Sequence, residues 1–298
     1  MPINSDAQSL VDSFYHYLIA QKQRSLHTAI NYRRDITQFL TATPISISAI
    51  GVEHVKQYNT QLHSRQLSHQ TIHRQISSLH QFWEFLVQHD YAHHNPWQLI
   101  KRPRIKQTIP SYIPTETVIE LLNNYPTTTN EAIRNKCILE LLFVTGIRVS
   151  ECCSLNIDDI HLTDLHCRVL GKGNKQRMVL FGQRCRDWLI QYATTIRHQW
   201  AAPTEPAFFL SKRGSRITQR TIQRILNDAN QYHSSPIRIT PHTCRHSCAS
   251  MLLSNGAGIR DVQELLGHSS INTTQRYAHI PSKKLTQRFL NVMDDDTT

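Results

Sequence analysis

The sequence contains no long hydrophobic run. Its most apolar stretch, Cys137 to Val144, is interrupted by Glu140 and falls far short of the roughly 20 residues a bilayer-spanning helix needs. The opening residues MPINSDAQSL hold neither a basic n-region nor an apolar h-region, so no secretory signal and no membrane association are expected. Glycine is scarce, at 9 of 298 residues, and 12 prolines are few, which argues against disorder along most of the chain. The 7 cysteines, an odd number, include no C-x-x-C pair. In a chain large enough to build cores without staples this points to reduced thiols and a cytoplasmic location. Internal repeats are absent, and the one biased tract is the acidic run Asp294 to Asp296.

What is present in excess is positive charge. Lys and Arg total 33 against 22 Asp and Glu, a formal net charge of +11. Such an excess favours a polyanionic partner, because each phosphate neutralised releases a condensed counterion. Residues 1–108 carry 11 basic and 6 acidic side chains and the remainder 22 and 16, so both parts are positive and no detachable basic tail explains the total.

Hydrophobic periodicity reads as helix through the first hundred residues. Leu10, Phe14 and Leu18 share one face, as do Ile30, Tyr32, Ile36 and Phe39. Val55 to Leu62 forms a third segment, and Ser68 opens a fourth whose apolar side is Ile72, Ile76, Leu79, Phe82, Phe85 and Leu86. The pattern predicts a bundle of about four helices. Asn95 to Pro114 then breaks the period with four prolines and the basic cluster Lys101, Arg102, Arg104 and Lys106. Proline fixes φ and removes donors, so this is a natural linker. It reads equally as a solvated connector or as a basic strap along a phosphate backbone.

Helices return at 115–124 and 130–144, with a turn RVSECCSL near 148–155. His166 to Leu170 and Gln176 to Phe181 are β-prone, and the glycine-containing loop 171–175 between them predicts a hairpin. Further helices are expected at 183–198, 218–230, 242–254, 259–266, 270–278 and 282–293. The fold class is therefore mainly α with a small antiparallel β-sheet, in two domains: helical residues 1–98, a basic linker 99–112 and a second domain 113–298.

Five clusters in the second domain hold chemistry-bearing side chains, and each has an ordinary reading when taken singly. Arg148 at a helix start suits an ion pair with Glu151 at i+3, and Lys172 at a hairpin tip suits a solvated loop. His268, after Leu265-Leu266-Gly267, suits a helix cap, and Tyr277 a half-buried aromatic. His242, Arg245 and His246 share one face of a helix opened by Pro241, beside Cys244 and Cys248. His242 and Cys244 point to different faces, however, and no zinc spacing is present. A helix N-terminus with an arginine beside it is better suited to an anion such as phosphate.

Taken together, two arginines, two histidines, a lysine and a tyrosine with no acidic cluster to hold Mg²⁺ can perform metal-free phosphoryl transfer. Guanidiniums stabilise charge on non-bridging oxygens, His or Lys moves protons, and Tyr attacks. The tyrosine's ordinary pKa of about 10 requires cationic neighbours or a base to help it ionise.

The strings TGIRVSE, GKGNKQR, HTCRHSCASMLL and VQELLGHSSINTTQRYAHI, with TIHRQISSLHQFWEFL in the front half, resemble the signatures of the tyrosine recombinase (phage integrase) family, and its Xer-like branch in particular. LLGHSSINTTQRYAH is the most specific of them. The resemblance covers nearly the whole chain and implies a C-shaped clamp of a core-binding domain and a catalytic domain around double-stranded DNA. It implies Tyr277 as nucleophile, Arg148 and Arg245 as phosphate clamps, Lys172 as the proton donor to the leaving 5′-oxygen, and His242 and His268 as aids to proton transfer. It also implies no cofactor and no metal, and a tetramer on two sites, with a paralogous recombinase or without one. A C-terminal helix near Pro281 to Val292 would be passed to a neighbour or packed on its own domain. Nucleoid association would accompany the DNA partner.

Cys152, Cys153 and Cys244 depart from the residues common in relatives, and altered packing is the expected consequence. The competing readings are a catalytically silent DNA-binding architectural protein on the same fold, a relaxing topoisomerase of the tyrosine type and a metal-dependent nuclease. Chromosome-dimer resolution and integration or excision of a mobile element both fit the motifs, and the DNA target sequence is not legible.

Overall fold

Ser and Thr side chains start the main helices. Ser25, Ser68, Thr129 and Thr218 each accept a hydrogen bond from the backbone N–H three residues on, at 3.1–3.2 Å, satisfying one of the donors a helix start leaves open. The computed structural model describes residues 5–103, 112–171, 176–254 and 256–266. The chain divides into two units, Met1–Thr108 and Ile109–Thr298, each with its own core.

The first unit holds α1 (Ser5–Ala20), α2 (Leu26–Ala42), α3 (Val52–Ser64) and α4 (His69–Gln88), the four helices the periodicity predicts. Their apolar faces close on Phe14, Phe39, Tyr58, Phe82 and Trp83. Trp97, from a single 3₁₀ turn over Pro96–Leu99, is fully buried in the same core, with its ring 5.3 Å from that of Phe39 in edge-on geometry. Asn95 makes this possible. Its Oδ1 accepts from Trp97 N–H at 2.9 Å and its Nδ2 donates to the His80 carbonyl at 3.1 Å. The proline-rich stretch therefore begins as part of the core. Inside the bundle the buried Asp35 pairs with Arg74 and accepts from Ser78 Oγ at 3.2 Å.

The second unit comprises α5 (Thr115–Asn124), α6 (Asn130–Thr145), α7 (Val149–Ser154), the strands β1 (Ile160–His161), β2 (His166–Leu170) and β3 (Gln176–Leu180), then α8 (Gln183–Tyr192), α9 (His198–Trp200), α10 (Gln219–Ala229), α11 (Pro241–Ser254) and α12 (Ile259–Leu266). Helix α6 is buried on every side from Cys137 to Phe143, as the central helix of a unit must be. It carries Glu140 inward, where Arg184 Nε lies at 3.0 Å and Lys136 Nζ at 3.8 Å. Ile113, at the far end of the connector, is buried too, and its N–H donates to Ser247 Oγ at 2.8 Å.

The sheet is antiparallel in the order β1-β2-β3. The register runs from His166 opposite Leu180 to Leu170 opposite Gln176, which is the predicted hairpin. Cys167 and Val169 face the core while Arg168 and Leu170 face out, the period-two alternation of a half-buried strand. Two features go beyond the sequence reading. The two-residue β1 is too short to carry a periodic signal. The helix expected over 183–198 ends at Tyr192 and passes through a wide π-type turn, Ala193–Arg197. There Arg197 turns away to donate to the carbonyls of Glu205 and Ala207. The expected helices at 270–278 and 282–293 lie outside the described residues.

All seven cysteines are buried and unbridged. Burial pushes every one of these thiols above its ordinary range, so they act as small hydrophobes with little thiolate character. Among the described residues no helix is long and apolar enough to cross a membrane.

Candidate active site

The run Thr145-Gly146-Ile147-Arg148 turns the chain sharply between two helices. Gly146 ends α6 in the left-handed conformation, φ +60°, which glycine adopts at no steric cost. Ile147 is buried, and Arg148 becomes the N-cap of α7. Its N–H donates to Glu151 Oε2 at 2.8 Å and its Nη1 to Glu151 Oε1 at 2.8 Å. The ion pair expected at i+3 is therefore formed. It fixes the base of a side chain that stays 39% exposed.

Glu151, 3% exposed, serves a second arginine. Arg177 on β3 approaches it as a two-pronged fork, Nη1 to Oε1 at 2.8 Å and Nη2 to Oε2 at 2.9 Å. Burial pushes the Glu151 carboxyl up, but the hydrogen bonds from Arg177 and from the Arg148 N–H outweigh it and hold the group below its ordinary value.

Arg245 closes the cluster from α11. Thr240 accepts from Thr243 N–H at 3.2 Å and Pro241 is the first residue of the helix, a start that proline's fixed φ favours. The Arg245 side chain is 9% exposed. Its Nη1 donates to the Gly146 carbonyl at 2.8 Å and its Nη2 to the Leu266 carbonyl. Burial, followed by the charges of Arg148 and Arg177, pushes its pKa down to about 10, so it stays cationic at neutral pH. Two guanidiniums thus bind a single carboxylate with a third close enough to feel its charge, and the excess positive charge suits a bound anion.

His242 is exposed on α11, three residues before Arg245. Burial, then the charges of His242 and Arg245, lowers the His246 pKa. Arg148 and Arg245 lie close enough for each charge to act on the other, and His242 stands one helical turn before Arg245 on α11. Lys172, His268 and Tyr277 lie outside the described residues, though Lys172 falls between β2 and β3 and His268 two residues beyond α12. Lys101 and Arg102 are exposed at the end of the first unit, while Arg104 and Lys106 fall outside the described residues. No group of three or more His, Cys, Asp or Glu that could hold a metal occurs among the described residues.

Sequence reasoning missed Arg177. An arginine in a short strand carries no local sign that its fork meets a carboxylate 26 residues earlier.

Two family models match the chain, the phage integrase family over residues 113–284 and the phage integrase N-terminal SAM-like domain over residues 11–90. The chain is 35% identical over 286 residues to a protein of Anoxybacillus flavithermus named tyrosine recombinase XerC, covering 93% of this chain and 95% of that one. It is 33% identical over 293 residues to the XerC of Bacillus subtilis, covering 96% of each. The fold is also that of a lambda integrase tetramer bound to a Holliday junction, with a TM-score of 0.69 at 16% identity over 94% of this chain and 83% of the other. A XerH site-specific recombinase bound to its difH substrate gives a TM-score of 0.67 at 18% identity, over 94% and 82%. With a family model over more than half its length and relatives above 30% identity along nearly all of it, the chain belongs to the phage integrase family.

Proposed function

We propose that this protein is a site-specific tyrosine recombinase that cuts and rejoins double-stranded DNA through a phosphotyrosyl bond. The observation that carries the reading is the grouping of Arg148, Arg177 and Arg245 around Glu151, in a chain whose relatives are named tyrosine recombinases. Preorganised cations aimed at developing negative charge are typically the largest catalytic term in such a site.

In this mechanism the Tyr277 oxygen attacks the scissile phosphorus, an O–P bond forms to the tyrosine, and the bond from phosphorus to the 5′-oxygen breaks. The 3′-phosphate stays on the enzyme. Lys172 supplies a proton to the departing 5′-oxygen, and His242 and His268 take part in proton transfer and in hydrogen bonds to the phosphate. Arg148 and Arg245 stabilise the non-bridging oxygens. Attack by a new 5′-hydroxyl reverses the step. One phosphodiester is exchanged for one phosphotyrosyl ester, so neither ATP nor a metal ion enters the balance.

Assembly as a tetramer on two DNA sites, with or without a paralogous partner, belongs to the same reading, as do a clamp around the duplex and a nucleoid location. A pocket lined by Val118, Ile119, Leu122, Phe143, Val144 and Met251 in the second unit suits the apolar residues Leu285, Phe289, Leu290 and Val292, supplied by a neighbouring protomer or by the same chain. Lys101, Arg102, Arg104 and Lys106 are the candidate contacts to the DNA backbone. Chromosome-dimer resolution, or integration and excision of a mobile element, would both use this chemistry.

The test is incubation with nicked suicide DNA sites in EDTA, using sequences that flank the gene and the host's chromosome-dimer site. A denaturant-resistant protein–DNA adduct is expected for the wild type and absent in Tyr277→Phe. An adduct that survives the substitution would place the nucleophile elsewhere. Specific binding without any adduct would favour the architectural reading.

A further inference from the structure

Among the groups around Glu151, one has no role in the chemistry set out above. Arg177 is 16% exposed, and it uses its whole guanidinium within the protein. Nη1 and Nη2 hold both oxygens of Glu151 at 2.8 and 2.9 Å, while Nε donates to the Leu265 carbonyl at 3.0 Å. Leu265 lies in the last turn of α12, where helix carbonyls lack intrahelical partners. The next carbonyl, that of Leu266, is taken by Arg245 Nη2. Two arginines from two different elements therefore tie down the end of α12, immediately before Gly267 and His268. The same Arg177 sits one residue into β3, the strand that leaves the loop containing Lys172.

We infer that Arg177 is a positioning residue for the cleavage reaction, tying the carboxylate that holds Arg148, the strand that follows Lys172 and the helix end that precedes His268. The inference rests on the recombinase reading of this site. Its geometry is demanding, because the fork must meet a carboxylate with two prongs and a carbonyl with the third nitrogen. A lysine carries the charge but reaches only one of these partners at a time. Arg177 touches no DNA in this scheme and acts through Glu151 and the α12 backbone.

The groups that face Glu151 are Arg148 with its backbone N–H on α7, Arg177 from β3, Arg245 from α11, and the thiols of Cys152 and of Cys167 on β2. Removing Arg177 takes away the strongest of the influences that lower the Glu151 pKa and leaves burial in place.

The experiment compares wild type, Arg177→Lys, Arg177→Met and Tyr277→Phe. Three quantities are read: DNA affinity, the single-turnover rate of adduct formation on a nicked suicide site, and the Glu151 carboxyl titration by ¹³C NMR. Misplacement of catalytic groups by about 1 Å costs on the order of 10²-fold in rate, so Arg177→Met is expected to lose about that factor in adduct formation while binding DNA within about 3-fold of wild type. Arg177→Lys recovers part of the rate, and in both variants the Glu151 midpoint moves up. If Arg177→Met does not fold, the Arg177→Lys rate and titration decide. Wild-type rates in the variants, losses of rate and affinity in equal proportion, or an unmoved Glu151 midpoint would each overturn the inference. Absence of an adduct in wild type would instead overturn the recombinase reading, and the titration would still decide whether Arg177 holds the carboxylate.

Discussion

Arg245 Nη1 donates a 2.8 Å hydrogen bond to the carbonyl oxygen of Gly146, so a phosphate-clamp candidate on α11 is anchored to the residue that terminates α6. The contact depends on glycine twice. The left-handed φ at Gly146 turns its carbonyl toward α11, and a Cβ there would lie 2.7 Å from Leu266 Cδ2 and 3.2 Å from Cys248 Sγ.

Gly146→Ala is accordingly expected to destabilise the second unit. The left-handed conformation alone costs a residue with a Cβ about 1–2 kcal/mol, and the clash with Leu266 adds to it. For a unit of this size each kcal/mol lowers Tm by about 2–4 °C, so differential scanning calorimetry should show a drop of several degrees. An unchanged transition would contradict both the left-handed strain and the clash with Leu266.

The pH dependence of stability should carry the mark of Glu151. Its carboxyl is held below the ordinary value near 4.5 in the folded state. The stabilisation it provides is therefore complete above that value and lost as pH falls through the lower folded-state pKa. Glu151→Gln removes this contribution, leaving three guanidiniums without a counter-charge. The variant should be less stable at neutral pH and lose less than wild type on acidification. Urea midpoints at pH 7 and pH 3.5 measure both effects, and parallel losses in the two proteins would contradict the assignment.

Trp97 belongs to the core of the first unit although it follows the last predicted helix there. Trp97→Ala empties a fully buried site, a change that typically costs about 3–5 kcal/mol. The first unit should unfold at lower denaturant while the second keeps its own transition. Two-probe unfolding would separate them, and a small shift, below about 1 kcal/mol on the same scale, would show that the bundle closes without this ring.

In the proposed mechanism the guanidiniums of Arg148 and Arg245 supply the positive charge at the site. Adduct formation should therefore proceed at the same rate in EDTA as in Mg²⁺, and Mg²⁺ should act only as a salt that weakens DNA binding. An EDTA-sensitive cleavage rate at constant ionic strength would require metal ligands outside the described residues.

Most of the architecture of the described residues was legible along the chain because it is local. Apolar residues at helical spacing, Ser and Thr caps, and a glycine-containing loop between two β-prone runs each act within a few residues. These produced the four-helix front half, the hairpin and the positions of α5 to α7 and of α10 to α12. The pairing of Arg148 with Glu151 was foreseeable for the same reason, since i and i+3 meet on one turn. Trp97 was harder to place. Proline hides a residue's destination from periodicity, and only Asn95 bonding to the His80 carbonyl turns the ring inward.

By itself, then, the sequence determined which residue types are available and the local elements that carry them. Tertiary structure decided how they are charged and held. Arg177 meets Glu151 across 26 residues, and Arg245 meets Gly146 across 99, separations at which no periodic or capping rule operates. Only packing of α6, α7, β3, α11 and the end of α12 brings three like charges around one buried carboxylate. Like charges repel, and burial disfavours each of them, so such a cluster exists only where carbonyls, a carboxylate and the surrounding core hold it in place.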